Sequence, residues 1–193
     1  MDIYTINFDA IAKIDDEQFS QLCRYNPELS LERNQKGEII IMSPTGGETG
    51  KKNAELMIDF GLWNRRQKSG QIFDSSTCFK LPLGSNRSPD VAYIQQERWE
   101  QLTQDERESF PPIAPDFVLE LMSKTDSLKR LQEKMQEYID NGVKLGWLIN
   151  PEKKQVEIYR QGQEKEVLDN PLTLSGEDIL PEFILDLALI WKN

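Results

Sequence analysis

The sequence predicts a mixed α/β protein: a central β-sheet flanked by α-helices, with an N-terminal helix and hairpin ahead of it. Three observations point there. Strand-length apolar runs recur, at 38–42 (EIIIM), 91–94 (VAYI) and 117–122 (FVLELM). Two longer segments with helical patterning, 48–68 and 126–141, lie between and after them. Hairpin turns stand toward both ends, at Asn34-Gln35-Lys36-Gly37 and around Asn150-Pro151.

Taken in order, 15–24 reads as a short helix with Phe19 and Leu22 inward, and 29–33 and 38–42 as paired strands. The second of these is apolar throughout and is expected to be buried. Ser43-Pro44-Thr45-Gly46-Gly47 breaks the chain before the helix at 48–68. That helix carries Ala54, Met57, Ile58, Phe60, Leu62 and Trp63 around most of its circumference, so packing on more than one side is expected. Thr49 and Asn53 fall inside the apolar arc, where a polar group needs a partner or a cavity. Gly70 ends the helix. Strands follow at 71–73, 78–83 and 89–94, the last two joined by a turn at 84–88, then a short helix at 95–102. A turn-rich excursion at 103–115 leads into a strand at 116–122. The amphipathic helix 126–141 stops at Asn141-Gly142. A hairpin (145–149 with 156–159), a short strand near Val167 and an apolar segment at 183–191 complete the chain.

The 193 residues suit one domain spanning 1–193. No apolar run reaches the ~20 residues of a membrane span, and the N-terminus lacks the pattern of a secretory signal. The expected compartment is the cytoplasm. Cys23 and Cys78 are too far apart in sequence for a zinc-binding pair and read as buried thiols. The chain contains no histidine, which removes Ser-His-Asp and Cys-His catalysis and histidine-held zinc. What remains is carboxylate, lysine or tyrosine chemistry, or a cation held by oxygens, which favours Mg²⁺ or Mn²⁺. The net charge of −10 opposes strong non-specific nucleic-acid binding. Residues 51–70 nevertheless sum to +3, a local basic stripe or else a solvated helix face.

Two acids stand out. Alternation along 116–122 puts Asp116, Val118, Glu120 and Met122 on one face and Phe117, Leu119 and Leu121 on the other. Glu120 therefore sits in a run that wants to be buried. An ionised carboxylate there needs an ion-pair partner or a metal. Pro89-Asp90 leads a second apolar strand, where an acid by itself reads as a cap or turn residue. Two such acids brought to one sheet edge could hold a divalent cation.

Asp90 and Glu120 resemble the PD…(D/E)xK signature of restriction endonuclease-like proteins. The wider pattern is similar to the Uma-two family of endonucleases, on MSPTGGETG (42–50), RSPDVAYI (87–94), PDFVLELMS (115–123) and KMQEYIDNGVKLGWLINP (134–151). VEIYR (156–160) and LPEFILDL (180–187) extend it, so the likeness runs from about 28 to 191. The resemblance implies a restriction endonuclease-like core with a four-stranded central mixed sheet, and metal held by Asp90 and Glu120. One departure is plain: the position two after the glutamate, lysine in the simplest motif, is Met122. Lys134, at the edge of the stripe formed by Leu128, Leu131, Met135, Tyr138 and Ile139, is the preferred replacement, because its stem can lie on the core and its ammonium reach the sheet. The other reading of Lys134 is a surface ion pair with Glu137. Glu48 matches the further acid many members carry on the first helix, and reads otherwise as a helix-start charge. Tyr138 and Gln132 are candidates to support the site.

These readings lead to a Mg²⁺-dependent endonuclease acting on DNA, with Asp90, Glu120, Lys134 and Glu48 as the catalytic set. A backbone carbonyl near Leu121 would join the metal, and Arg87 and the 51–68 cations would hold the phosphate backbone. The alternative is a nuclease-fold module that binds nucleic acid or protein without cutting. A homodimer fits either reading; the apolar C-terminal segment, with Ile184, Leu187 and Trp191, reads as a candidate interface or as a closure of the core.

Overall fold

The structure is a computed structural model that describes residues 4–8 and 14–192. The N-terminal part holds β1 (Tyr4–Ile6), α1 (Asp16–Tyr25), β2 (Ser30–Arg33) and β3 (Ile39–Met42). The centre holds α2 (Gly47–Gln67), β4 (Gly70–Asp74), β5 (Phe79–Lys80), β6 (Asn86–Arg87) and β7 (Val91–Gln95). Two short helices, α3 (Gln96–Glu100) and α4 (Gln104–Glu108), precede β8 (Phe117–Leu121) and α5 (Leu128–Asp140). The C-terminal part holds β9 (Leu145–Asn150), β10 (Gln155–Arg160), β11 (Glu166–Asp169), β12 (Thr173–Ser175), β13 (Ile184–Asp186) and α6 (Ala188–Trp191).

Among the described residues the main sheet has six strands in the order β11-β10-β9-β8-β7-β4. Only β8 and β9 run parallel, with Glu120 beside Leu148. The four strands implied by the resemblance are thus extended by further antiparallel pairing. A second sheet, β1-β3-β2-β6-β5, covers one end of the first, and β12-β13 form a separate pair.

The period of two along β8 divides the core. Phe117, Leu119 and Leu121 pack toward Leu56, Phe60 and Trp63 of α2 and Trp147 of β9. Val118 and Leu148 face the other way, against Met135, Tyr138 and Ile139 of α5. The third cluster, Phe19, Leu31, Ile39 and Cys78, ties α1 to the second sheet. Asp15 caps α1 with a capping box completed by Gln18. Gly142, at φ 100°, supplies the left-handed residue that stops α5. Trp63 and Trp147 are core residues, and Trp99 and Trp191 pack against the core.

Three local expectations are corrected and one open alternative is decided. α2 does not pack on several sides: Ile58 and Leu62 are half exposed, because no described element covers that face. Of 38–42 only Ile39 is buried, since β1 extends the sheet at its edge without covering a face. The segment 84–88 is not all turn: Asn86 and Arg87 pair with β5 and β2. In the C-terminal segment Leu187 and Ile190 are buried and Trp191 packs on the core, so that segment mostly closes the core and leaves Ile184 exposed. No described helix is long and apolar enough to cross a membrane.

A candidate metal-binding site with a buried lysine

A cleft of about 1150 Å³ opens between the two sheets, and the ends of β7 and β8, the start of α2 and the face of α5 line it. Three elements place the expected residues on its floor. Asp90 immediately precedes β7, half-buried. Its Oδ2 accepts the backbone N–H of Leu121 at 2.7 Å, and its Oδ1 accepts Asn53 Nδ2 from α2 at 3.3 Å. This is the partner that Asn53, polar within an apolar arc, required. Glu120 is 4% exposed, on the β8 face that turns toward α5.

Residues 134 and 138 lie one turn apart on α5 and so share a face. Both reach Glu120. Lys134 Nζ stands 2.8 Å from Glu120 Oε1, and Tyr138 donates its hydroxyl to the same oxygen at 3.0 Å. Lys134 is itself buried, which replaces the surface ion pair with Glu137 as a reading of this residue. Its ammonium also contacts Glu32 Oε1 at 2.9 Å and the carbonyl of Ser88 at 3.3 Å, so each of its three donors has an acceptor.

Glu32 was not legible in the sequence. It is 2% exposed and takes three charged or polar donors: Lys134, the backbone N–H of Ser88 at 2.9 Å and Arg87 Nη1 at 2.9 Å. Arg87 in turn grips both oxygens of Glu137 at 2.8 Å. The partners of Glu32 come from other elements, Arg87 being 55 positions away, and no local spacing marks it. An acid opposite an arginine on a short hairpin strand is the only hint.

The charges are uneven. Burial, with Asp90 and Glu32 nearby, pushes the Glu120 carboxyl up to about 8 against the pull of Lys134. Burial also raises Asp90, with the Leu121 N–H and Lys134 opposing it. Burial works in the same direction on Glu32, but Lys134 and Arg87 outweigh it and hold that carboxyl low. Burial works against the charge of Lys134, yet Glu120 and Glu32 keep its ammonium firmly protonated.

The Uma2 family profile, described as "Putative restriction endonuclease", matches residues 16–188. The chain belongs to the Uma2 family. A solved structure described as "a putative nuclease belonging to DUF820", from Anabaena variabilis ATCC 29413, superposes with a TM-score of 0.72. It covers 85% of this chain and 90% of its own, at 23% identity, and so bears on the fold. No curated protein matches.

The remaining expected residues of this Uma2 chain divide. Glu48 lines the same cleft from the first turn of α2, exposed and without an ion pair to Lys134. Met122 packs, half-buried, against the α5 side of the core, and the lysine that stands beside Glu120 is Lys134. Gln132 does not support the site: it bonds Glu157 at 2.6 Å. Arg87 is 5% exposed and engaged by two carboxylates, so it is a strut and not a free phosphate clamp. Of the 51–68 cations only Lys52 lines the cleft; Arg65 and Arg66 lie at the far end of α2. Lys36, Lys124 and Arg130 are the other cleft cations outside the buried cluster.

The donor set suits a hard divalent ion. All candidate ligands are oxygens, and Asn53 Oδ1 is buried beside Asp90 without a hydrogen-bond partner. Among the described residues no three acids or cysteines converge in metal-binding geometry. Two carboxylates with several retained waters is the usual coordination of Mg²⁺.

Proposed function

We propose that this protein is a metal-dependent endonuclease that hydrolyses phosphodiester bonds of DNA in the cleft floored by Asp90, Glu120 and Lys134. The observation that carries the reading is the convergence of half-buried Asp90, immediately before β7, and buried Glu120, on the adjacent β8, with a buried lysine from α5. Asp90 and Glu120 would hold Mg²⁺ or Mn²⁺, which when bound supplies a water of lowered pKa and neutralises phosphate charge.

The protein's own groups divide the remaining tasks. Leu121 and Asn53 fix the Asp90 carboxylate, and Tyr138 fixes that of Glu120. Lys134 keeps a cation at the floor of the cleft, where it can orient a nucleophilic water or meet developing negative charge on the phosphate. Glu48, at the cleft wall, would accept a proton from a bound water. Lys36, Lys52 and Lys124 would hold the sugar-phosphate backbone.

The cleft lining also carries ten acids against six basic residues, which favours weak nucleic-acid binding without metal. That observation supports the second reading, a non-cleaving binding module. Supercoiled plasmid and linear duplex incubated with Mg²⁺ or Mn²⁺ separate the two. Cleavage by wild type that is lost in Asp90→Ala and Glu120→Ala supports the nuclease. Cleavage that survives in both variants removes this site, and no cleavage by wild type with either ion leaves the binding module.

A further inference from the structure

The inward stripe of α2 changes character along its length. Thr49, Asn53, Leu56, Phe60 and Trp63 follow one another at intervals of four, three, four and three, so they share one face of the helix. Leu56, Phe60 and Trp63 are buried in the core, whereas Thr49 and Asn53 line the cleft. Asparagine inside a helix is a poor local choice, because its amide competes with the backbone and favours caps and turns. Here the amide is spent on a tertiary contact: Asn53 Nδ2 donates to Asp90 Oδ1 at 3.3 Å. An ionised carboxylate only accepts, so the amide presents its nitrogen to Asp90 and its oxygen is left over. That Oδ1 is buried and has no hydrogen-bond partner. A buried carbonyl oxygen without a partner is costly, and bulk water does not reach this one. Asn64 on the same helix also has a free Oδ1, but it lies outside the cleft, with its amide on the Gly70 carbonyl and not on a carboxylate.

We propose that Asn53 Oδ1 is the third protein ligand of the divalent ion held by Asp90 and Glu120. The inference rests on the metal reading above and adds a residue to it. Three observations carry it. The oxygen has no partner within the protein. Its sister nitrogen is bonded to one of the two carboxylates, so the amide is already docked at the site. Among the described residues no third acid or cysteine converges with Asp90 and Glu120 in metal-binding geometry. Amide carbonyl oxygens are ordinary ligands of hard divalent ions. A neutral oxygen also suits this place better than a third carboxylate: it adds a ligand without adding negative charge beside Asp90 and Glu120. Glu48 is the rival third ligand. It lines the same cleft, but it is exposed, and water satisfies its oxygens.

The test uses Mn²⁺ and the full chain carrying carbon-13 at its asparagine carboxamides, read by electron–nuclear double resonance. Wild type is expected to show a carbon-13 coupling of directly bound size. Asn53→Asp keeps a side-chain oxygen and removes the labelled amide, so it should bind Mn²⁺ at least as tightly and show no coupling. Asn53→Leu removes the oxygen and should weaken Mn²⁺ about ten-fold, read from the signal of the free ion. The wild-type coupling needs no variant to fold. Wild type that binds Mn²⁺ without the coupling overturns the proposal and leaves Asp90 and Glu120 standing. A coupling that persists in Asn53→Asp belongs to another asparagine and overturns it too. So does an Asn53→Asp variant that binds as weakly as Asn53→Leu, which would make the hold of Nδ2 on Asp90 the whole role of this residue. Wild type that binds no Mn²⁺ removes the metal reading and this inference with it.

Discussion

Lys134 Nζ lies 2.8 Å from Glu120 Oε1, with both side chains at most 10% exposed. A buried ion pair of this kind is held in place by what surrounds it. Here Glu32 and the Ser88 carbonyl complete the shell of the ammonium, and Arg87 completes that of Glu32.

Removing one member strands the others. Lys134→Met keeps the volume of the stem and leaves Glu32 and Glu120 without their shared cation. A loss of about 3–5 kcal/mol is expected in urea denaturation. Adding Glu32→Gln to that variant should recover part of the loss, because the stranded charge is gone. Two losses that simply add would show that Lys134 and Glu32 do not act together.

Metal binding is readable without any nucleic acid. Mg²⁺ or Mn²⁺ should raise the melting temperature of wild type and have no effect on Glu120→Ala. Burial and its acidic neighbours raise the Glu120 carboxyl to about 8, so an ion that loads the site below that value competes with a proton there. Calorimetry in buffers of different ionisation enthalpy should therefore show proton release that declines as pH rises past that value. A titration with no buffer dependence would contradict the protonated carboxyl.

Arg87 and the cleft lysines should separate cleanly. Arg87→Lys loses the fork that spans both oxygens of Glu137 and should destabilise the fold by about 2 kcal/mol. Lys52→Ala and Lys124→Ala should leave stability within about 0.5 kcal/mol, while each lowers the salt dependence of DNA binding by about one unit. DNA affinity that tracks Arg87 and ignores both lysines would reverse these assignments.

Glu157 sets an acid limit on stability. Burial tends to raise its carboxyl, but Lys165 at 2.8 Å, Tyr159 and Gln132 outweigh it and hold the value low. A carboxyl depressed in the folded state contributes stability above its ordinary value, and that contribution is lost as pH falls through the folded one. Melting temperature should drop between about pH 5 and pH 3, and drop less steeply in Glu157→Gln. Parallel curves for the two proteins would assign the acid limb elsewhere.

Much of the architecture follows from local pattern. The alternation of 117–121 is visible in sequence and matches the two core layers, because a strand's period is set by its own backbone. The same holds for the α5 stripe and its stop at Asn141-Gly142. α2 was misread because Ile58 and Leu62 are as apolar as Phe60, and composition does not say whether another element covers a face. Lys134 was legible as a residue at the edge of a stripe, but Glu32 was not, since its partners come from β6 and α5.

By itself the sequence determined the class of the fold, the two strands that each offer a carboxylate, and the restriction to oxygen ligands imposed by the absence of histidine. It also carried enough of the family pattern to place the chain. Only the tertiary structure decided which cations those carboxylates meet. Arg87, expected at the phosphate backbone, is consumed by Glu32 and Glu137, and Lys134 is drawn inward to Glu120 and Glu32. The reason is range: side-chain periodicity is fixed within a few residues of backbone, whereas the pairing of buried charges depends on which distant strands and helices close the same space.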